Sequence, residues 1–260
     1  MEYLIVCLVA IIASGLTLFS GFGLGTILTP VLAVFFPLPV AIAATAVVHL
    51  SNNLFKVFLV GRYVNKKVIA YFALPAVIAA LAGASLLNYA ASLPVAASYK
   101  LMGRLCEITV VKLAVGVIII AFSLFELVPA FDKIAFDQKY MPVGGLLSGF
   151  LGGLSGMQGA LRSMFLIKAG LEKDEFIGTN VVTAVIVDLG RLLVYGISFY
   201  SVKFTVIRDV GGLVTAATLS AFLGAYIGKR ALKKITLHLV RIIVAIMLAA
   251  LGLAISLGLI

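Results

Sequence analysis

One apolar run of this sequence carries His49, Asn52, Asn53 and Lys56 at positions i, i+3, i+4 and i+7, and on an α-helix they share a face. Turned to lipid, such a face would be costly, so it must look at protein or water. A second run carries Thr179, Asn180, Thr183, Asp188 and Arg191, the last four close to one stripe. A further cation, Arg162, lies in a third run. Lys56, Arg162 and Arg191 are set against one clear acid, Asp188. Positive charge is therefore in excess, and the chemistry it points to is binding of an anion rather than a cation. An Asp188–Arg191 pair at i, i+3 also reads as local structure, and the Asn and Thr residues as polar glue between helices.

Two glycine-rich tips add backbone groups to this set. Gly21-Phe22-Gly23-Leu24-Gly25 is followed by Thr26 and Thr29, and Ser155-Gly156-Met157-Gln158-Gly159 by Arg162 and Ser163. Glycine lets the backbone approach a ligand, and a helix that starts inside a membrane offers its free N–H groups to an anion. The alternative for each glycine is close helix packing. His49, Lys56 and Asp188 are the candidates for coupling, by a proton or, for the His and Asp, by helping to hold sodium.

Other chemistries lack their residues. There is no HExxH and no pair of intramembrane aspartates, so no enzyme is expected. No cofactor motif appears, and Cys7 and Cys106, without CxxC spacing, argue neither a metal nor a disulfide. The excess of Lys and Arg lies mostly in short loops, where it reads as membrane topology rather than as nucleic-acid binding.

The elements that position these residues follow from composition. Of 260 residues, 63% are hydrophobic and 12% charged, far from the roughly 25% charged of a soluble domain. Apolar runs extend over Tyr3–Phe36, Val40–Val60, Val68–Ala90, Glu107–Val128, Met141–Ile167, Phe176–Phe199, Phe204–Ile227 and Thr236–Ile260. Several exceed the ~20 residues that cross a bilayer as helix, and the alternation of a membrane β-barrel is absent. The start, with Glu2 and no basic segment before its apolar run, predicts a retained first segment rather than a cleaved signal.

The first and fifth runs, the ones broken by glycine, are related. A shift of 134 positions pairs Gly15 with Gly149, Gly25 with Gly159, Leu32 with Leu166 and Thr45 with Thr179. Glycine-interrupted segments at matching points of two halves are the mark of a transporter repeat, here residues 1–130 and 131–260. If all eight runs cross once, the loop Lys and Arg divide seven against eight. If the two broken runs each enter and return, eleven lie on one face and only Lys100, Arg104, Lys203 and Arg208 on the other. The positive-inside rule selects the second arrangement, with both termini outside and the two halves inverted. The expected fold is an all-α polytopic membrane protein of two inverted repeats, each a re-entrant helical hairpin followed by three transmembrane helices.

The stretch GFGLGTILTPVLAVFFPLPVAIAATAVVHLSNN, its partner GFLGGLSGMQGALRSMFLIKAGLEKDEFIGTNVV and the duplicated layout resemble the TauE/SafE permeases, the sulfite and organosulfonate exporters. The resemblance covers nearly the whole chain. It implies a multi-pass protein of the cytoplasmic (inner) membrane that moves sulfite, a sulfonate or a similar small anion. By position, Gly21 to Thr29, Gly156 to Ser163, Asn52, Asn53, Thr179 and Asn180 match the family's paired signatures. The second tip reads GMQG where many relatives are richer in glycine, which singles out Gln158 beside Arg162. With Arg191 these form the expected substrate site. The nearest rival to a carrier is a passive anion channel, because a basic polar pore needs the same residues.

Overall fold

The computed structural model describes residues 1–20, 24–60, 63–128, 134–199, 204–231 and 237–260, and at some helix ends the backbone alone. Gly21 and Gly23 lie outside the described residues, as do Arg62, Lys133, Lys203, Lys233 and Lys234.

The helices are α1 (Glu2–Ser20), α2 (Leu24–Ala33), α3 (Leu38–Val60), α4 (Lys66–Val68), α5 (Leu74–Ser92), α6 (Val110–Leu127), α7 (Met141–Ser155), α8 (Gly159–Leu166), α9 (Lys173–Phe199), α10 (Phe204–Ala231) and α11 (Leu237–Ser256). Between α4 and α5 a π-helical stretch, Ile69–Ala73, keeps the chain helical, so Lys66–Ser92 is one continuous span. Pro75 lies at the start of α5 and has no N–H to bond the preceding turn, and the wider π turn absorbs that loss. Among the described residues, four helices are long and apolar enough to cross a membrane. Large apolar side chains such as Leu8, Phe58, Ile78, Leu193, Leu223 and Ile246 are exposed on the long helices while charged groups are buried within. This is the reverse of a soluble fold and what lipid as solvent requires.

Of the two expected breaks, the second falls within the described residues, and the first, at Gly21 to Gly23, lies outside them. The first run is α1 and α2 with the glycine tip between them; the second is α7 and α8, separated by Gly156 to Gln158. Gly156 caps α7 in the left-handed region, φ +82°, a conformation that favours glycine. The segments are unequal, 19 and 10 residues in the first pair and 15 and 8 in the second.

The all-helical expectation needs one correction. The fourth apolar run does not begin at Glu107: a β-hairpin of β1 (Ala97–Leu101) and β2 (Arg104–Ile108) precedes α6, which starts only after its cap, Thr109. The turn holds Met102 and Gly103 at φ 49° and 83°, the paired positive φ of a tight hairpin turn. Tyr99 donates a hydrogen bond from its hydroxyl to Leu257 O, 2.8 Å, fastening the hairpin to the end of α11.

Helices touch through small residues. Gly145, Gly149 and Gly153 of α7 lie so close to the backbone oxygens of Phe72, Ala76 and Ala80 that a Cβ would collide with them. Along α1 and α10, Tyr3 meets Gly212, Ile11 meets Gly224 and Gly15 meets Gly228. Both pairs run parallel. By contrast α6 and α11 are antiparallel, with Gly116 against Ser256 and Ile119 against Gly252. Lipid gives no hydrophobic drive between helices, so close backbone approach supplies the packing.

Candidate functional site

The polar face of α3 meets that of α9. His49 Nδ1 lies 2.6 Å from Asp188 Oδ2, and Asn53 holds the imidazole from the next turn, its Nδ2 3.0 Å from Nδ1. Further along α3 the chain continues to Asn65, whose backbone N–H donates to Thr179 Oγ1 at 3.0 Å and whose amide donates to Glu175 at 2.9 Å. As numbering rises from His49 to Asn65, the partner falls from Asp188 to Thr179, so α3 and α9 run antiparallel.

Asp188 is saturated. Its Oδ1 accepts from Gln158 Nε2 at 2.9 Å and from Arg191 Nε at 3.0 Å, while Oδ2 faces His49. Arg191 Nη2 is 2.8 Å from the same Oδ1, although at an angle that leaves it without a directed hydrogen bond. Nη1 donates to Gly152 O at 3.1 Å. Both residues are fully buried, and removal from water is tolerable for such charges only when they are paired and bonded. Asp188 and Arg191 thus cancel, and Arg191 ties α9 to the end of α7.

Gln158 passes the network on. Its Oε1 accepts from Arg162 Nη1 at 2.9 Å, and Arg162 Nε donates to Asn180 Oδ1 at 2.5 Å. Ser148 of α7 donates to Gln158 O at 2.9 Å, fixing the turn that carries the glutamine. Both oxygens that Arg162 reaches are neutral. Lys56, also buried, has no hydrogen-bond or ion-pair partner among the described residues. Two buried cations therefore stand without a bonded counter-charge among the described residues, with one turn of α8 and one face of α3 presenting them.

The two broken segments meet at this centre. A Cβ on Gly25, in the first turn of α2, would lie 2.8 Å from Gly156 O and 3.6 Å from Thr45 Cγ2. One on Gly156 would be 3.1 Å from Thr29 Oγ1 and 3.3 Å from Arg191 Nη1. At Gly25 the Gly156 carbonyl thus leaves no room for a side chain, at Gly156 the positive φ makes one strained, and the backbones of the two segments are held in contact.

Of the expected residues, the structure joins His49, Asn53, Gln158, Arg162, Asn180, Asp188 and Arg191 in one bonded network, with Gly156 beside Arg191 and Gly25 against Gly156. Gly159 opens α8, and Thr26 and Ser163 are buried on α2 and α8. Asn52 accepts from Ser14 Oγ at 3.1 Å, which binds α3 to α1, and its amide nitrogen has no partner among the described residues. Thr179 is occupied by the Asn65 backbone and serves the end of the helix pair. Sequence reasoning passed over Tyr195, whose hydroxyl donates to Gly153 O. Its place four residues after Arg191 was the available signal. Ser14 and Ser148, which the shift of 134 also pairs, were likewise passed over.

No curated protein and no solved structure matches the chain. A family model described as "Sulfite exporter TauE/SafE" matches residues 6–255, which spans every element carrying the network. This integral membrane protein, a helical body around a buried polar centre with surplus positive charge, belongs to the TauE/SafE family of membrane transport proteins.

Proposed function

We propose that the protein is a secondary transporter moving a small sulfur-bearing anion, sulfite or an organosulfonate, across the inner membrane by alternating access about the contact of Gly25 with Gly156. The observation that carries this reading is the charge balance of the buried centre: among the described residues Asp188 is used up by Arg191 and His49, and the cations of Arg162 and Lys56 are left over. Buried charge without a partner is costly, and an anion relieves it. The family's description as a sulfite exporter supports the substrate class. Backbone N–H groups at Gly25, Gly156 and Gly159, with Thr26 and Ser163, complete the seat. His49 and Asp188 form the coupling pair.

Uptake into proteoliposomes tests the proposal, with sulfite, sulfate, thiosulfate, sulfonates and small carboxylates as substrates under imposed proton or sodium gradients. Concentrative, saturable flux of sulfite or a sulfonate driven by one gradient is the expected result. Dissipative flux at channel rates would instead favour the passive anion channel, and no anion flux would end both readings.

A further inference from the structure

We propose that Lys56, Arg162 and the hydroxyl of Thr183 form a seat for a doubly charged oxyanion between α3, α8 and α9, so that the site prefers a dianion to a monoanion of similar shape. The inference rests on the anion-carrier reading and adds to it the charge of the ligand.

Register places these groups together. Lys56 lies on α3 between His49, which faces Asp188, and Asn65, which faces Thr179. It is therefore level with the turn of α9 from Asn180 to Thr183, where the Arg162 guanidinium arrives to bond Asn180. The charges of Lys56 and Arg162 act on each other. Thr183 Oγ1, at full burial, has no hydrogen-bond partner among the described residues, and a buried hydroxyl left unpaired is a cost that a ligand oxygen removes.

Charge then decides the preference. Among the described residues the one buried acid, Asp188, already faces His49, Gln158 and Arg191. A monoanion would leave one of the two cations unmatched in a medium of low dielectric, whereas a dianion matches both. A tetrahedral or pyramidal oxyanion also has enough oxygens to meet an ammonium, a guanidinium edge and a hydroxyl at once.

Sulfate and methanesulfonate, alike in shape and different in charge, separate the possibilities as competitors of labelled sulfite uptake in proteoliposomes. The wild-type protein should be inhibited by sulfate at lower concentration than by methanesulfonate. Lys56→Gln should reduce that ratio by about tenfold or more, Lys56→Arg should preserve it, and Thr183→Val should weaken both competitors. A wild-type protein without preference, or a ratio unchanged in Lys56→Gln, overturns the dianion seat. Because a ratio is read within each variant, loss of folded protein does not mimic the result. Should the wild-type protein transport sulfite without any dianion preference, only the present inference fails. If it transports no anion at all, the proposed function fails first.

Discussion

At the level of single residues, the centre divides into groups that hold the fold and groups left for a ligand. Asp188 belongs to the first kind. Replacing it with Asn would strand Arg191, fully buried and bonded otherwise to the neutral Gly152 O, at a cost of about 3–5 kcal/mol. Thermal unfolding in detergent should show Asp188→Asn as markedly destabilised, and a melting point within error of wild type would contradict the pairing. Arg162 belongs to the second kind. Its partners are the neutral oxygens of Gln158 and Asn180, and Arg162→Ala leaves no carboxylate unpaired. That variant should express and melt near wild type yet lose anion binding, measured by sulfite-dependent thermal shift. Unchanged affinity would take Arg162 out of the site.

At the level of elements, packing by glycine rather than by large apolar side chains makes certain helices intolerant of bulk. A Cβ at Gly149 would drive into the Ala76 carbonyl, whereas one at Gly196 of α9 meets nothing within 4 Å. Gly149→Ala should therefore separate α5 from α7 and lower the melting temperature. Gly196→Ala, in open space on a helix, should leave it unchanged or raise stability by up to about 1 kcal/mol; equal effects of the two substitutions would refute the packing account. The sequence already showed where Met141–Ile167 breaks, at Gly156 to Gln158, because a glycine cluster inside an apolar run has few other uses. It also showed the polar stripes of α3 and α9, since the 3.6-residue period puts His49, Asn53 and Lys56 on one face. The β-hairpin was hidden: Ala97–Ile108 is half apolar and merges with the run that follows, and its turn uses Met102 where a second glycine or asparagine would have been the usual sign. Nor could spacing alone show that Gln158 links Asp188 to Arg162, since that bond depends on how α8 leans on α9.

For the whole molecule, helix directions carry the argument. Let α3 run in one sense; α9 then runs in the other, because His49 faces Asp188 while Asn65 faces Thr179. Between them lie the span ending at Ser92, then α6, then the pair α7 and α8. If α7 and α8 together crossed once, α9 would be parallel to α3, so their antiparallel register supports a pair that returns to its own face. A similar count applies to the first half. Since α10 follows α9, it has the sense of α3, and α1 runs parallel to α10 through Tyr3 and Gly212, Ile11 and Gly224. With α1 and α3 alike in direction, the count favours an α2 that comes back. The partners are exchanged as well, α1 with α10 and α7 with α5, which is what two halves of opposite orientation would produce. Two exposed positions convert this into a measurement: Met102, at the hairpin tip, and Glu172, before α9. Only α6 and the α7–α8 pair separate them. In a Cys7→Ser, Cys106→Ser background, Met102→Cys should react with an impermeant maleimide from outside the cell, and Glu172→Cys only after the membrane is opened. Labelling of both from the same side would mean that Met141–Ile167 crosses the bilayer, and the two broken segments would then have no common centre at which to hold an anion.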